Sequence, residues 1–240
     1  MTVPSVRSTG SVVGAPGGAN INAIFTAPAT IAVDDILVLI CLTNSTKTLT
    51  GLPSGWAHVL NSPQISSGGG GNESINVCWK RAVSGDVGAS SYTFNLNASD
   101  YFEGAISSVK DCITTGSPWD TGAGAPVAAG GGGTGTTTAP ALSLTTQGPD
   151  RLLINGAVNQ TGGTPWTPPT GFTTDFDHTG GGSFSVCVGF HKAQAVAGAT
   201  GTVQATCPGS GQTAAWLGAL LPVSGGAPAN NGAGFMALFA

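Results

Sequence analysis

Charge is what this sequence has least of. Lys, Arg, Asp and Glu make up 8% of its 240 residues, where about a quarter is usual. That scarcity excludes a coiled coil or a long-helix protein, whose faces are built from Glu, Lys and Arg. The 7 basic residues against 11 acidic ones leave a formal net charge of -4. Nucleic acid is therefore not expected as a partner, because phosphate binding rests on clustered Lys and Arg. Long apolar runs are missing too. The longest clean one goes from Ile36 to Leu42, far short of the roughly 18 residues of a membrane span. The start Met1-Thr2-Val3-Pro4-Ser5 lacks the basic-then-apolar pattern of a secretory signal, so none is expected in this chain. The 5 cysteines form no C-x-x-C pair, which leaves zinc-ribbon and thioredoxin readings without support. Cys41, Cys78 and Cys187 are expected to be small buried hydrophobes.

What the sequence has in quantity is glycine, 39 residues, together with 15 prolines and 40% hydrophobic residues. The apolar content excludes charged, core-poor disorder. The glycines show no period of three, which excludes collagen. Between them stand strand signals. Ile36–Leu42 is a continuous apolar run, right for a strand covered on both faces. Ser74–Lys80 and Tyr92–Leu96 alternate polar and apolar, the pattern of half-buried strands. Turn clusters such as Pro53-Ser54-Gly55 separate them.

An internal repeat organises these signals. Thr26-Ala27-Pro28-Ala29 returns as Thr138-Ala139-Pro140-Ala141, and Pro53-Ser54-Gly55-Trp56 as Pro169-Thr170-Gly171-Phe172. Trp79-Lys80-Arg81-Ala82 is answered by Phe190-His191-Lys192-Ala193, and Phe102–Ile106 by Trp216–Leu220. Trp56, Trp79 and Phe102 are thus matched to Phe172, Phe190 and Trp216, as two equivalent sheets filling one interior would require. The expected fold class is an all-β, jelly-roll-like sandwich of two pseudo-repeated halves, about residues 26–110 and 138–223. A Gly-rich bridge, 116–138, joins them within one domain spanning 1–225. Residues 226–240 read as a flexible arm whose apolar end, Phe235, Met236, Leu238 and Phe239, is the candidate partner-binding element.

Chemistry is sparse. No G-x-S-x-G elbow and no Walker A loop occurs, so no catalytic residue and no cofactor is expected. His191 reads as a solvent-facing strand position. Asp175-Phe176-Asp177-His178 brings two carboxylates and an imidazole together. Such a set has the donors for a divalent cation, but a solvated strand end is the preferred reading and no metal is assigned. Trp119 and Trp166 fall outside the matched positions. They either cap the core or form a platform on which sugar rings stack.

The order of strand, Pro-x-Gly-aromatic, strand, Gly-rich turn, Trp-Lys-Arg-Ala, Tyr-Thr-Phe, Phe-x-Gly-Ala-Ile and Pro-Trp-Asp resembles tailed-phage and prophage virion proteins. Thr164–Phe172 and Trp216–Leu220 follow the same pattern, and the resemblance spans roughly residues 20–225. It implies a non-enzymatic structural protein, a capsid decoration or tail-associated component. Its location would be the virion, assembled in the bacterial host cytoplasm. Its partners would be other virion subunits and copies of itself, with a trimer suited to the symmetry of such particles. The alternative is a carbohydrate-binding, host-attachment module using Trp119 and Trp166.

Overall fold

The computed structural model describes residues 2–15, 21–44, 46–66, 73–131, 136–161, 165–177, 185–207 and 209–223. The arm residues Phe235, Met236, Leu238 and Phe239, and His178 of the acidic cluster, lie outside the described residues. Among the described residues ten strands precede the bridge: β1 (Ser5–Thr9), β2 (Val13–Ala15), β3 (Asn22–Thr26), β4 (Ile36–Thr43), β5 (Leu49–Gly51), β6 (Ala57–His58), β7 (Gln64–Ile65), β8 (Ser74–Arg81), β9 (Ser91–Leu96) and β10 (Phe102–Lys110). Then come β11 (Val127–Gly131), β12 (Thr145–Thr146), β13 (Arg151–Asn159), β14 (Thr173–Asp177), β15 (Val186–Gln194), β16 (Gly198–Ala199) and β17 (Thr213–Leu220). Among the described residues there is no α-helix, only two single 3-10 turns.

The strands form antiparallel sheets. A seven-stranded sheet runs β1-β10-β4-β8-β6, with β2 also on β10 and β7 also on β8. A five-stranded sheet runs β11-β17-β13-β15-β14. A three-stranded sheet, β3-β9-β5, and a two-stranded one, β12-β16, complete the set. An all-β, sandwich-like protein is thus what the chain forms.

The layering is deeper than the two sheets expected. Among the described residues three separate apolar clusters lie between four layers. Leu37, Leu39 and Cys41 of β4 face Phe25, Phe94 and Leu49 of the three-stranded sheet. Ile36, Val38, Ile40 and Leu42, the other face of β4, meet Leu152, Ile154 and Val158 of β13. Leu153 and Ala157, on the far face of β13, pack with Leu142, Leu144 and Val203. The run Ile36–Leu42 is therefore covered on both sides, as its continuous hydrophobicity requires. β9 also keeps its alternation, with Tyr92, Phe94 and Leu96 turned inward.

β8 departs from the half-buried pattern read in its sequence. Its polar positions Ser74 and Asn76 are fully buried. Asn76 is satisfied internally: its Nδ2 donates to Thr43 Oγ1 (2.9 Å) and its Oδ1 accepts from Leu49 N (3.1 Å). Alternation marks the two faces of a strand, and here the polar face meets another sheet instead of water.

The two proline turns are alike. Trp56 N donates to Pro53 O (3.1 Å) and Phe172 N to Pro169 O (2.9 Å). Gly55 (φ 82°) and Gly171 (φ 79°) hold the left-handed third position of a type II turn. The aromatic matches further on do not share faces. Lys80 stands opposite Leu37 and Lys192 opposite Leu153, whereas the sequence match set Lys80 against His191. A slip of one residue exchanges the faces of a strand. Accordingly Phe190 lies in the cluster beneath the second half, while Trp79 sits at the edge of the middle one. Phe102 and Trp216 are divided in the same way.

The middle interface depends on one close approach. A Cβ added to Gly156 would stand 2.7 Å from Ile40 Cγ2 and 3.0 Å from Ile75 Cδ1. Gly156→Val should therefore lower the unfolding free energy by about 1–3 kcal/mol through overpacking. Gly85→Ala, where a Cβ meets nothing within 4 Å, should stay within about 1 kcal/mol; urea titration of both variants against the wild type checks the contrast.

Candidate functional site

The bridge does more than connect. Asp120 N donates to Ala219 O (2.9 Å), and Trp119 bridges to Leu220. This lays residues 118–120 along the end of β17, before the turn Gly122–Gly124 carries the chain to β11. Trp119 is only 5% exposed and packs edge-on against Trp216, with ring centroids 5.2 Å apart and planes at 84°. Trp166 is 3% exposed, belongs to the cluster beneath the second half, and donates its backbone N–H to Asp177 Oδ2 (2.9 Å). Neither indole N–H has an acceptor among the described residues. Both rings cap cores, and neither presents an open face.

A groove of about 380 Å³ opens beside Trp119. One wall is Val59, Leu60 and the partly exposed Trp79; the other is the bridge, with Ser117, Thr121 and Pro126. Asn61 Nδ2 donates to Pro126 O (2.8 Å) and ties the walls together. Trp216 Nε1 donates to Leu60 O (3.1 Å) from below. The ionisable groups at the groove are engaged elsewhere. His58 has Nε2 at 2.8 Å from Leu49 O and Nδ1 at 3.4 Å from Cys78 Sγ. Asp120 Oδ2 accepts from Arg151 Nε (3.1 Å) and Gln147 N (2.9 Å), and its Oδ1 from Thr121 N (3.0 Å).

The acidic cluster does not converge. A register shift between Thr174 and Phe176 interrupts β14. Asp175 Oδ1 pairs with His191 Nδ1 at 2.5 Å, and Asp177 turns to the Trp166 backbone. His191 is thus half-buried and partnered, not a bare solvent-facing side chain. Burial pushes the Asp175 carboxyl up, and the bond to His191 opposes that shift. Among the described residues no three His, Cys, Asp or Glu side chains stand close enough to hold a metal ion. All 5 cysteines are buried and free of disulfides, as expected of Cys41, Cys78 and Cys187; Cys112 and Cys207 join them.

Sequence reading missed a polar seam at one end of the middle interface. Glu103 Oε1 accepts from Cys187 N (2.8 Å), and Tyr101 Oη donates to Glu103 Oε2, so a carboxylate links the two inner sheets. Ser185 Oγ donates to Glu73 Oε1 (2.8 Å), while Glu73 Oε2 has no partner among the described residues. Burial, the dominant cause, lifts the Glu73 carboxyl from its ordinary 4.5 to about 8. The only signal was a glutamate next to a strand's first residue.

The chain matches no protein-family model, no curated protein and no solved structure. No helix among the described residues is long and apolar enough to cross a membrane.

Glu73 gives a pH test. The unfolded chain releases this proton near pH 4.5, whereas the folded one holds it to about pH 8. The folded state therefore binds more protons in that window, and stability falls as pH rises through it, by at most ~1.4 kcal/mol per unit. Urea midpoints measured from pH 5 to 8 should decline in the wild type. Glu73→Gln should flatten that decline.

Proposed function

We propose that the chain is a non-enzymatic structural protein of a tailed-phage virion, either a capsid decoration or a tail-associated component. It is assembled in the bacterial host cytoplasm and works as a homo-oligomer among other virion subunits. We read it as a jelly-roll-like sandwich protein of two pseudo-repeated halves in a single unit, 1–225, with the arm 226–240 as its partner-binding element.

The observation that carries this reading is where the few charges go. Asp35 accepts from Arg7 Nε (2.7 Å), Arg7 Nη2 (3.1 Å) and Ser108 Oγ (2.7 Å). Lys80 pairs with Asp86 at 2.7 Å and Arg151 with Asp120 at 3.1 Å, in both cases around a buried carboxylate. Glu73 and Glu103 are fully buried. A set of charges already small is thus spent holding the fold. The outside carries aliphatic residues instead: Val33, Val83 and Val87 at one end, joined by the Asp34 N to Ala82 O bond, and Ile21 and Ile24 on the outer sheet. A weakly charged surface dotted with aliphatics suits a molecule packed among subunits.

The proposed duplication draws on the like proline turns and on the left-handed Asp34 (φ 69°) and Asp150 (φ 58°), which open β4 and β13. It also draws on the stacking of the inner sheets, where β10 lies on β15 as β17 lies on β8. The sugar-binding alternative no longer has two exposed tryptophans to rest on; what favours it is the groove at Trp79.

Light scattering should find a discrete oligomer at micromolar concentration. Quantitative mass spectrometry of phage particles from the source lysate should find the chain at a fixed copy number. Deleting residues 225–240 should lower that number without changing the thermal midpoint by more than a few degrees. A stable monomer absent from every particle fraction would sink the reading.

A further inference from the structure

We propose that the groove between Trp79 and the bridge is a binding site for a neutral saccharide of one or two rings. The inference goes beyond the assembly reading and does not depend on it. It rests first on size. About 380 Å³ lies at the small end of the ~300–1,000 Å³ usual for small-molecule sites.

It rests next on chemistry. The wall of Trp79, Val59 and Leu60 is apolar, and Trp79, which lines the groove, is only partly buried. On the opposite rim, Ser117 and Thr121 are exposed, and neither hydroxyl donates to a group among the described residues. Ser117 Oγ only accepts, from Trp119 N at 3.4 Å. A sugar ring has the complementary form, a C–H face beside a belt of hydroxyls, and aromatic faces take such surfaces well.

Charge narrows the class. Both nitrogens of His58 are engaged, and both oxygens of Asp120 already accept hydrogen bonds. A charged ligand would enter without a counter-charge, which is costly in a partly dehydrated site. A wholly apolar ligand would bury the rim hydroxyls unpaired, which is also costly. A neutral, hydroxyl-rich ring avoids both penalties.

The walls are set in advance. Asn61 ties one wall to Pro126, and Trp216 holds Leu60 from beneath. Preformed walls lower the entropy lost on binding. Trp119 then acts as a positioning residue: it forms the floor and fixes where the bridge runs.

The test uses the full chain. Glucose, galactose, mannose, N-acetylglucosamine and their disaccharides are titrated by saturation-transfer NMR and by tryptophan fluorescence. At least one should bind saturably. Trp79→Ala should weaken it roughly tenfold or more, about 1.4 kcal/mol, and Trp79→Phe should restore most of the loss. Because Trp79 also packs against the core, the exposed double variant Ser117→Ala/Thr121→Ala serves as a second arm. It should weaken binding severalfold with an unchanged melting curve. No saturable binding of any probe overturns the proposal. So does binding that both Trp79→Ala and the rim variant leave unchanged.

Discussion

Across the middle of the molecule, Ile36, Val38, Ile40 and Leu42 of β4 meet Leu152, Ile154 and Val158 of β13, with Gly156 leaving room for Ile40 and Ile75. Everything else is arranged around this contact. Because each inner sheet is covered on that face, its other face needs a cover of its own. The three-stranded sheet supplies it on one side; β12-β16 and its neighbouring loops supply it on the other. The bridge must then run along β17 to close the rim, which brings Trp119 onto Trp216. The groove follows from that closure, since its two walls are the first half and the bridge.

Burial on both faces also explains where the polar residues are. An inner sheet has no wet side to which Asn76, Glu73 or Glu103 can turn. Asn76 finds Thr43 and the Leu49 backbone, and Glu103 reaches across to Cys187 N. These contacts resist slippage of one layer against the next, because a shift would leave a buried polar group unpaired. Nonpolar packing alone is less particular about register.

Much of this was legible in the sequence. The all-β class, the strand Ile36–Leu42 covered twice, the alternating β9 and the two proline turns each follow from a local pattern. The layer count does not. An alternating strand such as β8 reads the same whether its polar face meets water or another sheet, and only the tertiary fold decides. The pairing of Trp79 with Phe190 failed for a related reason. Aromatic identity is a weaker guide to register than the lysines: Lys80 and Lys192 each lie beside the glycine of a proline turn, at Gly55 and Gly171. The groove was half visible. Trp119 was singled out as either a core cap or a platform, and it is a core cap; its neighbours Trp79 and Leu60 come from distant parts of the chain.

The cysteines carry one more consequence. Cys41, Cys78, Cys112, Cys187 and Cys207 are all buried and unbonded. Burial pushes all five thiols up, that of Cys112 to about 12. Oxidation and disulfide exchange proceed through the thiolate at an accessible sulfur, and these sulfurs offer neither. The covalent structure is therefore indifferent to redox compartment. A chain made in a reducing cytoplasm can work in oxidising surroundings with no bond made or broken on the way.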